Sequence, residues 1–233
     1  MGRPTLKKSG PMTNLERSRR RRQKAVKQEK LANPKLVAKQ ERRAERERAL
    51  AGKILTLPNK TYGAILADPE WRDEVWSRET GLDRAPDNHF PTSVAEVIKS
   101  RPVETIAADN CVLFLWSTIQ HLAIAYEVME AWGFTYRSQV IWKKSSMGMG
   151  RWFRSMHEIL LIGTRGAPPC PAPGTQWLSV IEAPRGSHSE KPEIFYQLIE
   201  EYFPNLPKIE LNARRRRSGW DAWGLEAPDE EVA

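Results

Sequence analysis

From Tyr62 onward, apolar runs of strand length alternate with stretches of helical period, the pattern of an α/β sheet. Tyr62 to Ala67 reads as the first strand, followed by a short helix toward Lys99 opened by the capping pair Ser93 and Glu96. Cys111 to Trp116 is a buried strand, and Thr118 to Trp132 an amphipathic helix closed by Gly133. Phe134 to Trp142 is a further strand. Glu158 to Gly163 and Trp177 to Glu182 are strands separated by a Pro- and Gly-rich loop. Pro192 to Phe203 is a helix with its proline in the first turn, and Lys208 to Leu211 the last strand. No internal repeat is visible.

Ahead of this lies a segment of another kind. Residues 1–53 hold almost no aromatic or β-branched side chains and cannot form a core. Arg19 to Lys30 and Leu36 to Leu50 favour helix, with Pro34 as a break. The segment carries 18 Lys and Arg against 5 Glu, or +13, while the rest of the chain carries 19 against 24, or −5. The net charge of +8 is therefore an appendage, suited to a polyanion such as nucleic acid, although a solvated basic tail has the same composition. The expected organisation is a basic helical extension over 1–53, a catalytic domain over 54–227 and an acidic tail over 228–233.

Composition excludes some classes. Cys111 lies in an apolar run and Cys170 in a proline-rich stretch, a spacing that fits neither a metal site nor a disulfide framework. No segment is long and apolar enough for a membrane span, and the N-terminus lacks the apolar core of a secretory signal, so a cytoplasmic protein is expected.

Candidate chemistry centres on Asp68, Pro69, Glu70 and Trp71, directly after the first strand. An Asp-Pro pair there is commonly just a turn. The same residues also suit capture of a flat base bearing an amine. Adenine's exocyclic amine is a poor nucleophile because its lone pair is delocalised into the ring. A carboxylate at Asp68 and the Pro69 carbonyl can each accept one amine hydrogen, which localises that lone pair and favours the charge developing on nitrogen. Trp71 offers a ring on which a flipped base could stack.

The collinear set Ile65–Trp71, Leu113–Trp116, Ala131–Phe134, Ile141–Lys143, Ser187–Pro192, Ile209–Arg214 and Trp220–Glu226 resembles the N6-adenine methyltransferases. That family includes the messenger-RNA adenosine methyltransferases and bacterial and phage DNA relatives. The resemblance covers about Tyr62 to Glu226 and leaves the basic segment outside. It implies a Rossmann-like methyltransferase sheet that uses S-adenosyl-L-methionine, in a permuted order with the catalytic tetrad before the cofactor strand. Strand ends at Asp68 and Leu211 then flank one crevice.

The resemblance also carries residue roles. Asp68 to Trp71 match the catalytic tetrad, with Asp68 between the amine and the cofactor. Lys191 matches a lysine that binds the cofactor carboxylate, Arg214 an arginine that contacts its ribose, and Glu226 a polar position at the ribose or adenine. His89 and Phe90 match a loop that approaches the target base, and Arg151, Trp152 and Arg154 a second loop beside it. DNA is the expected substrate, with RNA adenosine, or an inactive nucleic-acid-binding subunit, as alternatives. Monomer and homodimer are both open.

Three positions depart from the family pattern. Glu70 stands where relatives usually have a second proline, either adding negative charge near the amine or displacing the Pro69 carbonyl. Asn212 replaces a usual aromatic, and Leu225 a usual asparagine near the ribose.

Overall fold

A computed structural model of the chain describes residues 42, 57–71, 95–148, 152–186, 190–224 and 227. The chain divides into two compact units, Met1–Glu45 and Arg46–Ala233, and the second holds the sheet. The two helices expected before residue 53 lie outside the described residues.

The elements run β1 (Tyr62–Ala67), α1 (Ala95–Lys99), β2 (Ala107–Ser117), α2 (Leu122–Ala131), β3 (Thr135–Lys144), β4 (His157–Arg165), β5 (Val180–Ala183), α3 (Glu193–Tyr202), β6 (Lys208–Leu211) and β7 (Trp220–Trp223). One seven-stranded sheet has the order β5-β3-β4-β2-β1-β6-β7. β1 pairs in parallel with both β2 and β6, β6 with β7, and β3 with β5. β4 alone is reversed, antiparallel to β2 and to β3.

β1 is central, and all six of its residues are buried. Their alternation divides the core between two faces. Ile65, Leu113, Leu115, Ile209 and Leu211 point into one cluster, where α1 and α2 contribute Ile98, Ala125, Val128 and Met129. Ala64, Leu66, Val112, Phe114 and Trp116 point into the other, where α3 contributes Phe195, Tyr196, Leu198 and Ile199. Each such large apolar side chain contributes roughly 1.5–3 kcal/mol by leaving water. Two of the buried indoles are tied as well as packed: Trp132 Nε1 donates to the Ile98 carbonyl at 2.9 Å and Trp142 Nε1 to that of Ala183 at 2.9 Å.

Expected and observed elements differ where hydrogen bonds redirect the chain. The helix foreseen from Thr118 opens as a 3-10 turn over Ile119–His121, where Thr118 Oγ1 and His121 Nδ1 are 2.8 Å apart. Its far end closes as foreseen. Gly133 takes φ +80°, its N–H donates to Glu130 O, and Phe134 N–H donates to Met129 O, a Schellman motif. The strand expected over Trp177 to Glu182 shrinks to β5. The Trp177 backbone N–H donates to the Tyr202 hydroxyl and its indole N–H to Glu201, both at 2.6 Å, so this residue serves α3 and not the ladder. β7 was not foreseen. It lies beside β6 and is tied to β1 by the Tyr62 hydroxyl, which donates to Asp221 at 2.7 Å.

No helix among the described residues is long and apolar enough to cross a membrane.

Candidate active site

The carboxyl ends of β1, β2, β3, β5 and β6 lie along one edge of the sheet, and the reversal of β4 brings its amino end to the same edge. Asp68 follows β1 there. Its N–H donates to the Leu211 carbonyl at 3.3 Å, extending the ladder by one residue. Pro69 interrupts the ladder because it has no N–H. The Trp71 N–H then turns back to the Pro69 carbonyl at 2.8 Å.

Lys191, on the segment entering α3, reaches across to this turn. Its ammonium lies 2.8 Å from Asp68 Oδ2 and 3.2 Å from Glu158 Oε2, and 5.3 Å from the centre of the Trp116 ring. Glu158 opens β4 and also pairs with Lys144 at the end of β3. Two cations and two carboxylates therefore alternate along the edge. Burial works against the Lys191 charge, but the Asp68 and Glu158 carboxylates outweigh it and raise its pKa. Burial likewise opposes the Glu158 charge, and Lys191 and Lys144 together hold its pKa below the ordinary value. Nearby, burial raises the Glu210 pKa although the Tyr196 hydroxyl donates to it at 2.8 Å; the Asp68 charge adds to the rise.

Glu70 has partners of its own. Its carboxylate accepts from the Arg101 guanidinium at Oε1 and from Asn212 Nδ2 at Oε2, the latter at 2.7 Å. Arg101 Nη1 also donates to Asn212 Oδ1 at 3.1 Å. Arg101 thus neutralises the Glu70 carboxylate, which bears on the expectation of added negative charge near the amine. Burial pushes the Arg101 pKa down to about 10.

The tetrad's aromatic residue also has partners within the chain. Trp71 is 8% exposed, stacks on His121 with centroids 5.5 Å apart and planes 12° apart, and donates its indole N–H to the Trp116 carbonyl at 3.1 Å. It is a wall of the site and not an open platform, because the core and His121 have taken its faces. The large open aromatics are Trp152, 92% exposed, and Phe153, 87% exposed, with exposed Arg154 beside them. Arg214 follows β6 and is exposed. His89, Phe90, Arg151 and Glu226, and Leu225 among the departures, lie outside the described residues.

The structure thus joins Asp68 to Lys191 and adds Glu158, Lys144, Arg101 and His121, which sequence reasoning passed over. Glu158 and Lys144 carried one readable signal. They flank two apolar strands whose pairing as a hairpin places both at its loop end.

This geometry lies within residues 62–226, the span that matches the MT-A70 family. The chain belongs to the MT-A70 family. It is similar to Type II methyltransferase M.MunI of Mycoplasma sp, 34% identical over 191 residues, which are 76% of this chain and 82% of that protein. It is similar to the human N(6)-adenosine-methyltransferase catalytic subunit METTL3, 31% identical over 161 residues, 66% of this chain and 26% of that protein. The MT-A70-like N(6)-adenosine-methyltransferase of Arabidopsis thaliana is 26% identical over 174 residues, 70% of this chain and 23% of that protein. The chain therefore spans most of M.MunI and about a quarter of the other two.

MT-A70 methyltransferases are Rossmann-like and use S-adenosylmethionine. The residues at the sheet edge fit that cofactor. It carries a carboxylate, an ammonium and a cationic sulfur, and the MT-A70 edge described here offers a buried ammonium at Lys191 among the carboxylates of Asp68, Glu158 and Glu210. Lys191 has three N–H donors, of which its two carboxylate partners take two.

Proposed function

We propose that this MT-A70 methyltransferase methylates the N6 amine of adenine in DNA, and that Asp68 is its central residue. The observation that carries the proposal is the placement of Asp68 at a strand end, with one carboxylate oxygen held by buried Lys191. Asp68 Oδ1, the oxygen Lys191 does not hold, accepts one hydrogen of the amine, and the Pro69 carbonyl accepts the other. One Pro69 lone pair already serves the Trp71 N–H, and a carbonyl oxygen has a second. Both acceptors stabilise the positive charge that grows on nitrogen and cost no reorganisation, because the β1–β6 ladder and the turn have already fixed them.

S-adenosylmethionine, when bound, supplies a methyl group activated by positively charged sulfur. Lys191 would hold its carboxylate, and Arg214 and Glu226 its ribose or adenine. A target base must leave its duplex to reach the strand edge, and stacking offsets part of that penalty. Trp152, with Arg151 and Arg154, is suited to this stacking, a role that buried Trp71 does not fill. His89 and Phe90 are assigned to the same base.

One feature favours DNA over RNA: the chain matches a type II methyltransferase over most of both lengths. The +13 surplus of its first 53 residues suits the phosphate backbone of either nucleic acid. The test is transfer of tritiated methyl groups to duplex DNA, single-stranded DNA and RNA by the wild type and by Asp68→Ala. Labelled N6-methyladenine in DNA is expected from the wild type, with a loss of about 100-fold or more in the variant. Equal incorporation by the two would sink the role of Asp68, and preferential labelling of RNA would sink the choice of DNA.

A further inference from the structure

The turn that carries Asp68 and Pro69 has an unusual restraint. The bond from the Trp71 N–H to the Pro69 carbonyl spans two residues, so Glu70 is the centre of a γ-turn. Among the described non-glycine residues only Asn212 has positive φ, so φ at Glu70 is negative and the turn is the inverse form. An inverse γ-turn needs a central φ of about −75°, close to the roughly −65° that a proline ring enforces. Glu70 has no ring, and one backbone bond holds such a turn weakly.

The missing restraint lies in the side chains. Glu70, Arg101 and Asn212 each bond to the other two. Arg101 donates twice, Asn212 donates once and accepts once, and Glu70 accepts twice, so three donors meet three acceptors around the ring, while the buried Arg101 Nε stays without a partner. A glutamine at 70 would face one donor with another. Each corner sits on a different element. Glu70 is on the turn after β1, Arg101 follows α1 with its side chain fully buried, and Asn212 follows β6 at φ +64°. The guanidinium also lies 5.8 Å from the Trp223 ring centre on β7. Two residues that break the family pattern, Glu70 and Asn212, are thus each other's partners.

We infer that Glu70, Arg101 and Asn212 are positioning residues: their ring holds the inverse γ-turn, and with it the Asp68 carboxylate and Pro69 carbonyl, as a proline ring would. The catalytic consequence rests on the assignment of Asp68 as the group that meets the amine. The mechanical consequence does not.

The experiment compares the full chain with three variants: Glu70→Ala/Arg101→Met, which opens the ring without stranding a buried charge; Glu70→Pro/Arg101→Met, which supplies the restraint covalently; and Asn212→Gly, which keeps the left-handed backbone and removes one corner. Two quantities are read, with melting curves as the check on folding: hydrogen exchange of the Trp71 amide, and kcat with the KM for S-adenosylmethionine. Glu70→Ala/Arg101→Met is expected to exchange about tenfold faster and to lose about tenfold in kcat, with KM changed less than about threefold. Asn212→Gly moves both the same way by a smaller factor, and the proline variant brings both back to within about threefold of wild type. Wild-type exchange in Glu70→Ala/Arg101→Met or in Asn212→Gly overturns the inference, as does a proline variant no better than the alanine one. Should the wild type methylate no adenine substrate, the assigned reaction fails, and Trp71 exchange still decides whether the ring holds the turn.

Discussion

Replacing Lys191 by methionine removes the one charge among the described residues that touches both Asp68 and Glu158, while the unbranched side chain keeps its packing against Trp116. Breaking a fully buried pair costs about 3–5 kcal/mol, and an exposed one at most about 1. Lys191 is 8% exposed, but Asp68 and Glu158 keep 21% and 16% of their side-chain surface, and Lys144 still serves Glu158. The loss therefore falls between the two limits, at about 2 kcal/mol, which for a unit of this size lowers the melting temperature by roughly 4–8 °C. The pH dependence follows from the direction of each shift. The raised Lys191 pKa gives stability that is complete below the ordinary lysine value and lost only as pH rises through the folded value. The lowered Glu158 pKa gives stability that is complete above the ordinary glutamate value and lost as pH falls through the folded one. Between the two ordinary values the full gap between wild type and variant is present, and it closes in acid as Glu158 protonates. Scanning calorimetry at about pH 7.5 and about pH 4 reads this directly. Equal melting temperatures near neutrality, or a gap that widens on acidification, would refute the reasoning.

Tyr196→Phe leaves the buried Glu210 carboxylate without its donor, at a cost of about 1–3 kcal/mol. Because the Glu210 pKa is already raised and rises further in the variant, the loss should grow from about pH 5 to pH 8, as thermal melts across that range would show. Deleting residues 1–53 removes the +13 surplus, and nonspecific DNA binding followed by fluorescence anisotropy should weaken and lose several units of its log–log salt slope. An unchanged slope would place the phosphate contacts elsewhere on the chain.

β1 could be read from the sequence to the residue because its six-residue apolar run is bounded by Pro69. The helix entering at Pro192 was legible from that proline, and the end of α2 from Gly133. Asp68 and Lys191 were legible as a pair only through the collinear order of the family motifs, since Lys191 is 123 positions from Asp68 in the chain. The ring around Glu70 could not be read. Arg101 is 31 positions from Glu70, and Asn212 is 142 positions from it, so local pattern says nothing of their meeting. The surroundings of Trp71 were hidden for a related reason. The tetrad fixes its place in the chain, but His121, on a 3-10 turn after β2, decides what covers its ring. Trp177 looked like a strand residue by composition, and hydrogen bonds to α3 outweighed that propensity.

The reversal of β4 bears on how such an enzyme can diversify. A parallel connection would carry the chain away across a face of the sheet, but the β3–β4 hairpin opens directly onto the rim where Asp68 and Lys191 meet. Its base is clamped by the pairing of Lys143 with His157 and by the Lys144–Glu158 ion pair, so the intervening loop can lengthen, shorten or change composition without shifting the register of any strand. On the proposed assignment, substrate preference is free to drift in that loop while the strand ends carrying Asp68 and Glu158 keep their register.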